Sequence, residues 1–491
     1  MKIQSFFEHH GIATNPFSDE DAQTDLVFKG YCIRQTYHPT WDKIYGNPGE
    51  PATAIVFGEK GSGKTALRLQ IARHLGDYNA DHADARAFVI EYADFNPFLD
   101  HFRDRFSSRR RRRPERVLEE WKLWDHMDAI LSLSVTQLID RILDPKQASS
   151  PSAVDTKLLP IKNLERSQVR DLLLLAACYD QSTATAGEDR WRKLRRKLRF
   201  STWRRVWPIV LSIIVTAAVF GSIGYFRAWE WLSTVWPYLA VGAGFLPWAW
   251  RCVKSCWRSH KITKNTRVLI RNPKRLRRIL AKFADRQIVG QPLPNCPRTD
   301  DRYEQLIKLQ DILGVLGFSG MIVLVDRVDE PYLINGSADL MRALVWPMLD
   351  NKLLKHPGLG LKLLLPSELV QFVDREDRDF HQRARLDKQN LIRSLDWTGE
   401  SLFDVANARI KGCAMEGQSP TLVDLFDDSV DNARLLSAMR DLRVPRHLFK
   451  FLYRLIVAHT NAHTDDSPVW KISGETFQSV LSVYQREEGG V

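Results

Sequence analysis

Eight residues, GEKGSGKT at 58–65, constrain this chain more than any other stretch. They follow TAIVF (53–57), a short apolar run that reads as a buried strand. They precede ALRLQIARHL (66–75), where Leu67, Ile71 and Leu75 fall on one helical face. Strand, glycine-rich loop and helix, in that order, is the context in which G-x-x-x-x-G-K-[ST] cradles phosphate. Every fixed position is met, by Gly58, Gly63, Lys64 and Thr65. The glycines let the loop curl, so that backbone N–H groups through Glu59, Lys60, Gly61, Ser62 and Gly63 point at phosphate oxygens. Lys64 is expected to reach the β- and γ-phosphates and the Thr65 hydroxyl to ligate Mg²⁺. The helix adds the positive end of its dipole. The implied ligands are ATP and Mg²⁺.

A second stretch complements the first. MIVLV (321–325) is a continuous apolar run of strand length, as in a central parallel strand, and VDRVDE (325–330) ends it. An acid at the end of a buried strand needs a cation or hydrogen bonds. Asp326 is therefore expected to hold Mg²⁺, and Asp329 or Glu330 to polarise the attacking water. AFVIEY (87–92) and LGLKLLL (359–365) read as further strands, VTQLIDRIL (135–143), VRDLLLLAACY (169–179) and 301–317 as helices, and 386–491 as mainly helical. The fold expected is α/β, a P-loop NTPase core with a parallel sheet and flanking helices, AAA/STAND-like, carrying a helical insertion and a C-terminal helical lid.

Between Thr65 and Met321 lie 255 residues (66–320), far more than the roughly 30 of a βαβ unit. Part of the excess is two uncharged runs, 206–226 and 231–250, each about 20 residues, the length that crosses a hydrocarbon core. Trp203, Trp207, Tyr225, Trp229, Trp231, Trp248, Trp250 and Trp257 sit at their borders. RWRKLRRKLRF (190–200) puts Trp191, Leu194 and Leu198 on one face among cations, a pattern suited to a membrane surface. Residues 186–282 hold 22 Lys+Arg and 3 Asp+Glu, leaving 49 basic and 56 acidic residues elsewhere in a chain of formal net charge +12. Basic flanks on both sides of a short RAWE link (227–230) predict a hairpin that leaves and returns on one face. The charge excess then belongs to membrane flanks, with membrane lipid as a partner, and nucleic acid is the less favoured partner. Six scattered cysteines form no CxxC or Cys/His cluster, so no zinc site is expected.

The organisation expected is an N-terminal segment (1–50), first half of the core (51–96), helical insertion (97–185), basic-flanked hairpin (186–282), second half of the core (283–400) and helical lid (401–491). A loop is expected around QASSPSA (147–153). No apolar stretch near the start resembles a signal peptide.

VDRVDE resembles the D-x-x-[DE] pattern of STAND-type signalling ATPases. In most AAA+ proteins the glutamate directly follows the metal-binding aspartate, and here Arg327 stands in that place. A transmembrane hairpin between the two motifs resembles the KAP group of bacterial P-loop ATPases. The resemblance covers 11–95 and 301–460 in pattern only, and 97–185 matches nothing recognised. It implies a P-loop ATPase in the bacterial inner membrane, with both termini and the ATPase domain cytosolic. ATP hydrolysis would drive a conformational or assembly switch in signalling or phage defence, with a homo-oligomer or an effector protein as partner. It also implies that Ser367, after LGLKLLLP, is a sensor-1-like polar residue; as a helix N-cap it has an equal account. Arg446 in VPRHLFKFLYRL (444–455) resembles a sensor-2 arginine at the phosphates, and Arg383 and Arg385 resemble trans-acting arginine fingers. Arg109–Arg113 reads as a solvated loop or a phosphate grip, of lipid before nucleic acid. The rival functions are a DNA-associated ATPase resembling origin-recognition proteins and a nucleotide-binding scaffold without turnover.

Overall fold

The computed structural model describes residues 1–144, 159–181, 187–201, 207–226, 233–384, 386 and 390–488. It is an α/β structure built on a five-stranded parallel sheet. The strands are β1 (Ala54–Gly58), β2 (Arg86–Tyr92), β3 (Phe318–Val325), β4 (Leu359–Pro366) and β5 (Asn390–Ile392), in the order β2-β3-β4-β1-β5. Every residue of β1 and β4 is buried, which is why both read as unbroken apolar runs rather than alternating ones. β1 lies parallel to β4 with Gly58 opposite Pro366, and parallel to β5 with Ala54 opposite Asn390. β5 falls in a stretch whose sequence reads as mainly helical; three residues are too few for a period to show.

The chain forms two compact units, one of Met1–His82 with Ile322–Val491 and one of Ala83–Met321. In the first, the helix Lys64–Asp81 follows β1. A helical core brings the start of the chain to its end: Phe6, Phe7 and Ile12 pack with Leu402, Leu435 and Phe477. The helix Pro445–Ala462, in the predicted lid, begins with proline at its first position and buries Leu448, Phe451, Leu452 and Leu455 in the same core. Each such side chain contributes about 1.5–3 kcal/mol when withdrawn from water.

The second unit is mainly helical, with Leu123–Leu143, Arg166–Tyr179 and Asp300–Val315 among its helices. It corrects the membrane expectation. Among the described residues no helix is long and apolar enough to cross a membrane. The helix Trp236–Asn265 starts five residues into the predicted span and runs on through Arg251, Lys254, Arg258, Lys261 and Lys264. Its uncharged part, 236–250, is about 22 Å long at 1.5 Å per residue, short of a hydrocarbon core of about 30 Å. Pro237, Pro247, two glycines and five aromatics further dilute it. A hairpin needs both legs, so the companion helix Trp207–Tyr225 has no spanning partner. The two helices instead pack on each other, with Ser212 Oγ donating to the Gly244 carbonyl at 2.8 Å. The RAWE link, Val206, Trp203, Trp229, Trp231 and the loop predicted at 147–153 lie outside the described residues. The predicted surface helix, Gly187–Lys197, turns its apolar stripe into protein: Trp191 and Leu194 are 2% and 0% exposed, and Trp191 Nε1 donates to the Leu173 carbonyl at 2.9 Å. An amphipathic stripe does not distinguish a lipid face from a protein core. The expectation of an inner-membrane anchor is thus overturned, and with it the positive-inside account of the basic flanks.

Candidate nucleotide-binding site

The site lies wholly in the first unit, where β1 ends. Gly61 and Gly63 adopt φ of +95° and +93°, values that side chains disfavour, and they bend the loop into the helix Lys64–Asp81. A Cβ on Gly61 would stand 2.6 Å from Arg446 Cβ, so the loop also needs glycine for the close approach of the lid.

Lys64 Nζ donates to the carbonyls of Gly58 at 2.7 Å and Glu59 at 2.9 Å. Burial pushes its pKa down, against the opposing pull of Asp326, Asp329 and Glu368, while Arg446 lowers it further. One residue on, Thr65 Oγ1 donates to Asp326 Oδ2 at 3.0 Å, although the two lie 261 positions apart. Asp326, directly after β3, is 1% exposed. Arg68 Nε pairs with the same oxygen at 3.2 Å. Sequence inspection missed Arg68; the available signal was an arginine one turn past Lys64, beside the apolar positions Leu67 and Ile71.

Arg327 takes a left-handed φ of +61°, turning the chain sharply after Asp326. Its guanidinium pairs with Glu330 at 3.3 Å and lies 3.9 Å from Asp21. Burial raises the Glu330 pKa; Arg327 opposes this, and Asp329, Asp326 and Asp21 add to it. Asp329 and Glu330 both line a cleft of about 190 Å³ that also receives Lys60, Gly61, Gly63, Lys64, Thr65, Asp326 and Arg446. Ser367 follows β4 beside the loop, by the pairing of Gly58 with Pro366, and its hydroxyl donates to Glu368 at 3.4 Å.

The lid touches the loop directly. The Arg446 backbone N–H donates to the Gly61 carbonyl at 3.3 Å, and its Nε lies 3.5 Å from Glu20, an ion pair without hydrogen-bond geometry. Trp397 Nε1 donates to the Ser62 carbonyl at 2.9 Å, and the His38 ring stands edge-on to Trp397 at 5.0 Å. Burial lowers the His38 pKa, against the hydrogen bond that its ring donates to the Asp396 carbonyl. The cleft is also lined by Phe28, Cys32, Thr36, Gln70 and Phe449. Burial pushes the Cys32 thiol up to about 12, so it is a neutral wall group. The buried Arg409–Asp25 pair, with Arg409 4.4 Å over the Phe449 ring, ties the N-terminal segment to the lid. None of Glu20, Asp21, His38 and Trp397 carries a local motif. Of the proposed arginine fingers, Arg385 and the Arg383 side chain lie outside the described residues.

Comparisons with protein-family models, curated proteins and solved structures find no match to this chain.

Proposed function

We propose that the unit of residues 1–82 and 322–491 binds ATP with Mg²⁺, hydrolyses the γ-phosphate and uses turnover to move its lid helix. The observation that carries this reading is the Thr65–Asp326 contact. A hydroxyl and a carboxylate from two remote motifs meet at 3.0 Å beside a glycine loop and a desolvated lysine.

The donor set fits the ligands. Ser62 Oγ is buried with no hydrogen-bond partner among the described residues, in a loop whose glycines favour converging N–H groups. Thr65 and Asp326 are two hard oxygen donors, and Mg²⁺ takes few protein ligands and keeps several waters. When bound, Mg²⁺ would neutralise charge on the phosphate oxygens. Lys64 would exchange its two carbonyl contacts for phosphate oxygens, an exchange favoured because a partly desolvated ammonium gains strongly from an anion. Glu330, whose carboxyl burial pushes up, would take the proton of the attacking water. Arg446 would bring a guanidinium to the phosphates from the lid. Because its backbone is bonded to Gly61, loop and lid are coupled, which supports a switch. The D-x-x-[DE] spacing supports the STAND-like resemblance.

Phosphate release tests the chemistry. Glu330→Gln should retain ATP and lower release about 100-fold or more, with a smaller effect for Asp329→Asn. Unchanged release in both variants would move the base elsewhere, and ATP binding without release in the wild type would leave a scaffold.

A further inference from the structure

The basic excess has lost its membrane account, and it is concentrated. Residues 83–321 hold 42 Lys+Arg against 24 Asp+Glu, a net of +18; the other unit holds 29 against 35, a net of −6. Within residues 83–321 an open cavity of about 510 Å³ is lined by Arg105, Arg110, His260, Lys264 and Arg267, with Phe106 half-buried in its wall. Among the described residues, Glu120 is the one acid lining it.

From this we propose that residues 83–321 carry a site for the phosphate backbone of single-stranded nucleic acid, separate from the nucleotide cleft and independent of the ATPase reading.

Two of the cations build the walls. Arg105 donates to the carbonyls of Thr263 at 2.9 Å and Lys264 at 3.0 Å, capping the end of the helix Trp236–Asn265. Arg267 pairs with buried Asp125 and lies 4.9 Å over the Phe102 ring. Burial lowers the Arg105 pKa and the Arg267 charge adds to this, against Asp125 and Asp128. The other basic groups are uncommitted. Arg110 and Lys264 are exposed and make no ion pair among the described residues. Arg110 belongs to the exposed run Arg109–Arg113, in which Arg111 pairs with Asp104.

A groove of cations with an aromatic wall is the arrangement that tracks a single strand: the charges take phosphates and the ring stacks on a base. The aromatic wall and the exposed arginine run beside Arg110 favour a strand over a lipid headgroup, which would use the cations alone.

The test is fluorescence anisotropy of the full chain with a labelled single-stranded 20-mer across a salt series. Wild type should bind with log affinity falling linearly in log salt. Arg110→Ser/Lys264→Ser should weaken binding about tenfold or more and shrink the salt slope by roughly 1.4, the share of two phosphates on a single strand. Both residues are exposed and unpaired, so the unfolding midpoint should stay at the wild-type value. Arg110→Lys should keep wild-type affinity, and Lys274→Ser/Arg275→Ser, equal in charge but outside the cavity, should lose less than about threefold. Equal loss in both double variants would overturn the site. So would absence of strand binding, tighter binding to phosphatidylglycerol vesicles than to the strand, or full competition by inorganic phosphate at the strand's own concentration.

Discussion

Arg68–Asp326 in one unit and Arg302–Asp128 in the other are the same kind of object, a buried guanidinium–carboxylate pair with side chains 2% or less exposed. Their company differs. Asp128 receives Arg302 at both oxygens, at 3.0 Å each, and Tyr179 OH at 2.9 Å. Arg302 spends its remaining donors on the carbonyls of Cys296, Arg298 and Asn265. Asp326 instead accepts from a threonine hydroxyl at the start of a helix, under a glycine loop and on a cleft. A buried charge pair is thus no functional sign by itself. One pair is closed into the packing of its helices; the other borders the cleft beside the glycine loop.

The difference can be broken by substitution. Arg302→Met leaves Asp128 buried without its counter-charge and is expected to cost about 3–5 kcal/mol of unfolding free energy, while hydrolysis per folded molecule persists. Asp326→Asn should lower hydrolysis about 100-fold or more at temperatures where it is folded. Equal loss of activity in folded Arg302→Met, read by phosphate release alongside denaturant unfolding, would erase the distinction.

A smaller effect sharpens it. Burial raises the Asp125 carboxyl to about 6, against the pull of Arg267. The folded chain then holds that proton more tightly than the unfolded chain, whose aspartates titrate near about 4. The folded state binds more protons between these values, so the stability from this group is present below about pH 4 and lost as pH rises to about 6. Asp125→Asn should remove on the order of 2–3 kcal/mol of that fall. Asp128, also raised by burial against Arg302, keeps part of the slope. Denaturant midpoints across this range measure it; an unchanged slope would mean that Asp125 titrates normally in the folded chain.

What was legible in the sequence had local spacing. Gly58, Gly63, Lys64 and Thr65 lie within eight residues, and Asp326 directly follows an apolar run, so each is visible without knowing the fold. Strands β1 and β4 were legible for the same reason: complete burial writes itself as continuous apolar sequence. Trp397, His38, Glu20 and Asp21 were not, because only the packing of the N-terminal segment with residues beyond 390 brings them to the loop. The membrane hairpin failed on a different point. An uncharged run shows where charge is absent, not where a helix starts, and the helix that begins at Trp236 carries its charged residues in the same rod as its apolar ones.

The central claim is that the loop at 58–65 takes the phosphates of ATP. Calorimetric titration of ATP with Mg²⁺ into the full chain and into Lys64→Ala tests it most directly. Wild type should bind one ATP per chain, and Lys64→Ala should bind at least about 100-fold more weakly, a loss of about 2.7 kcal/mol. No binding by the wild type, or wild-type affinity in Lys64→Ala, would contradict it.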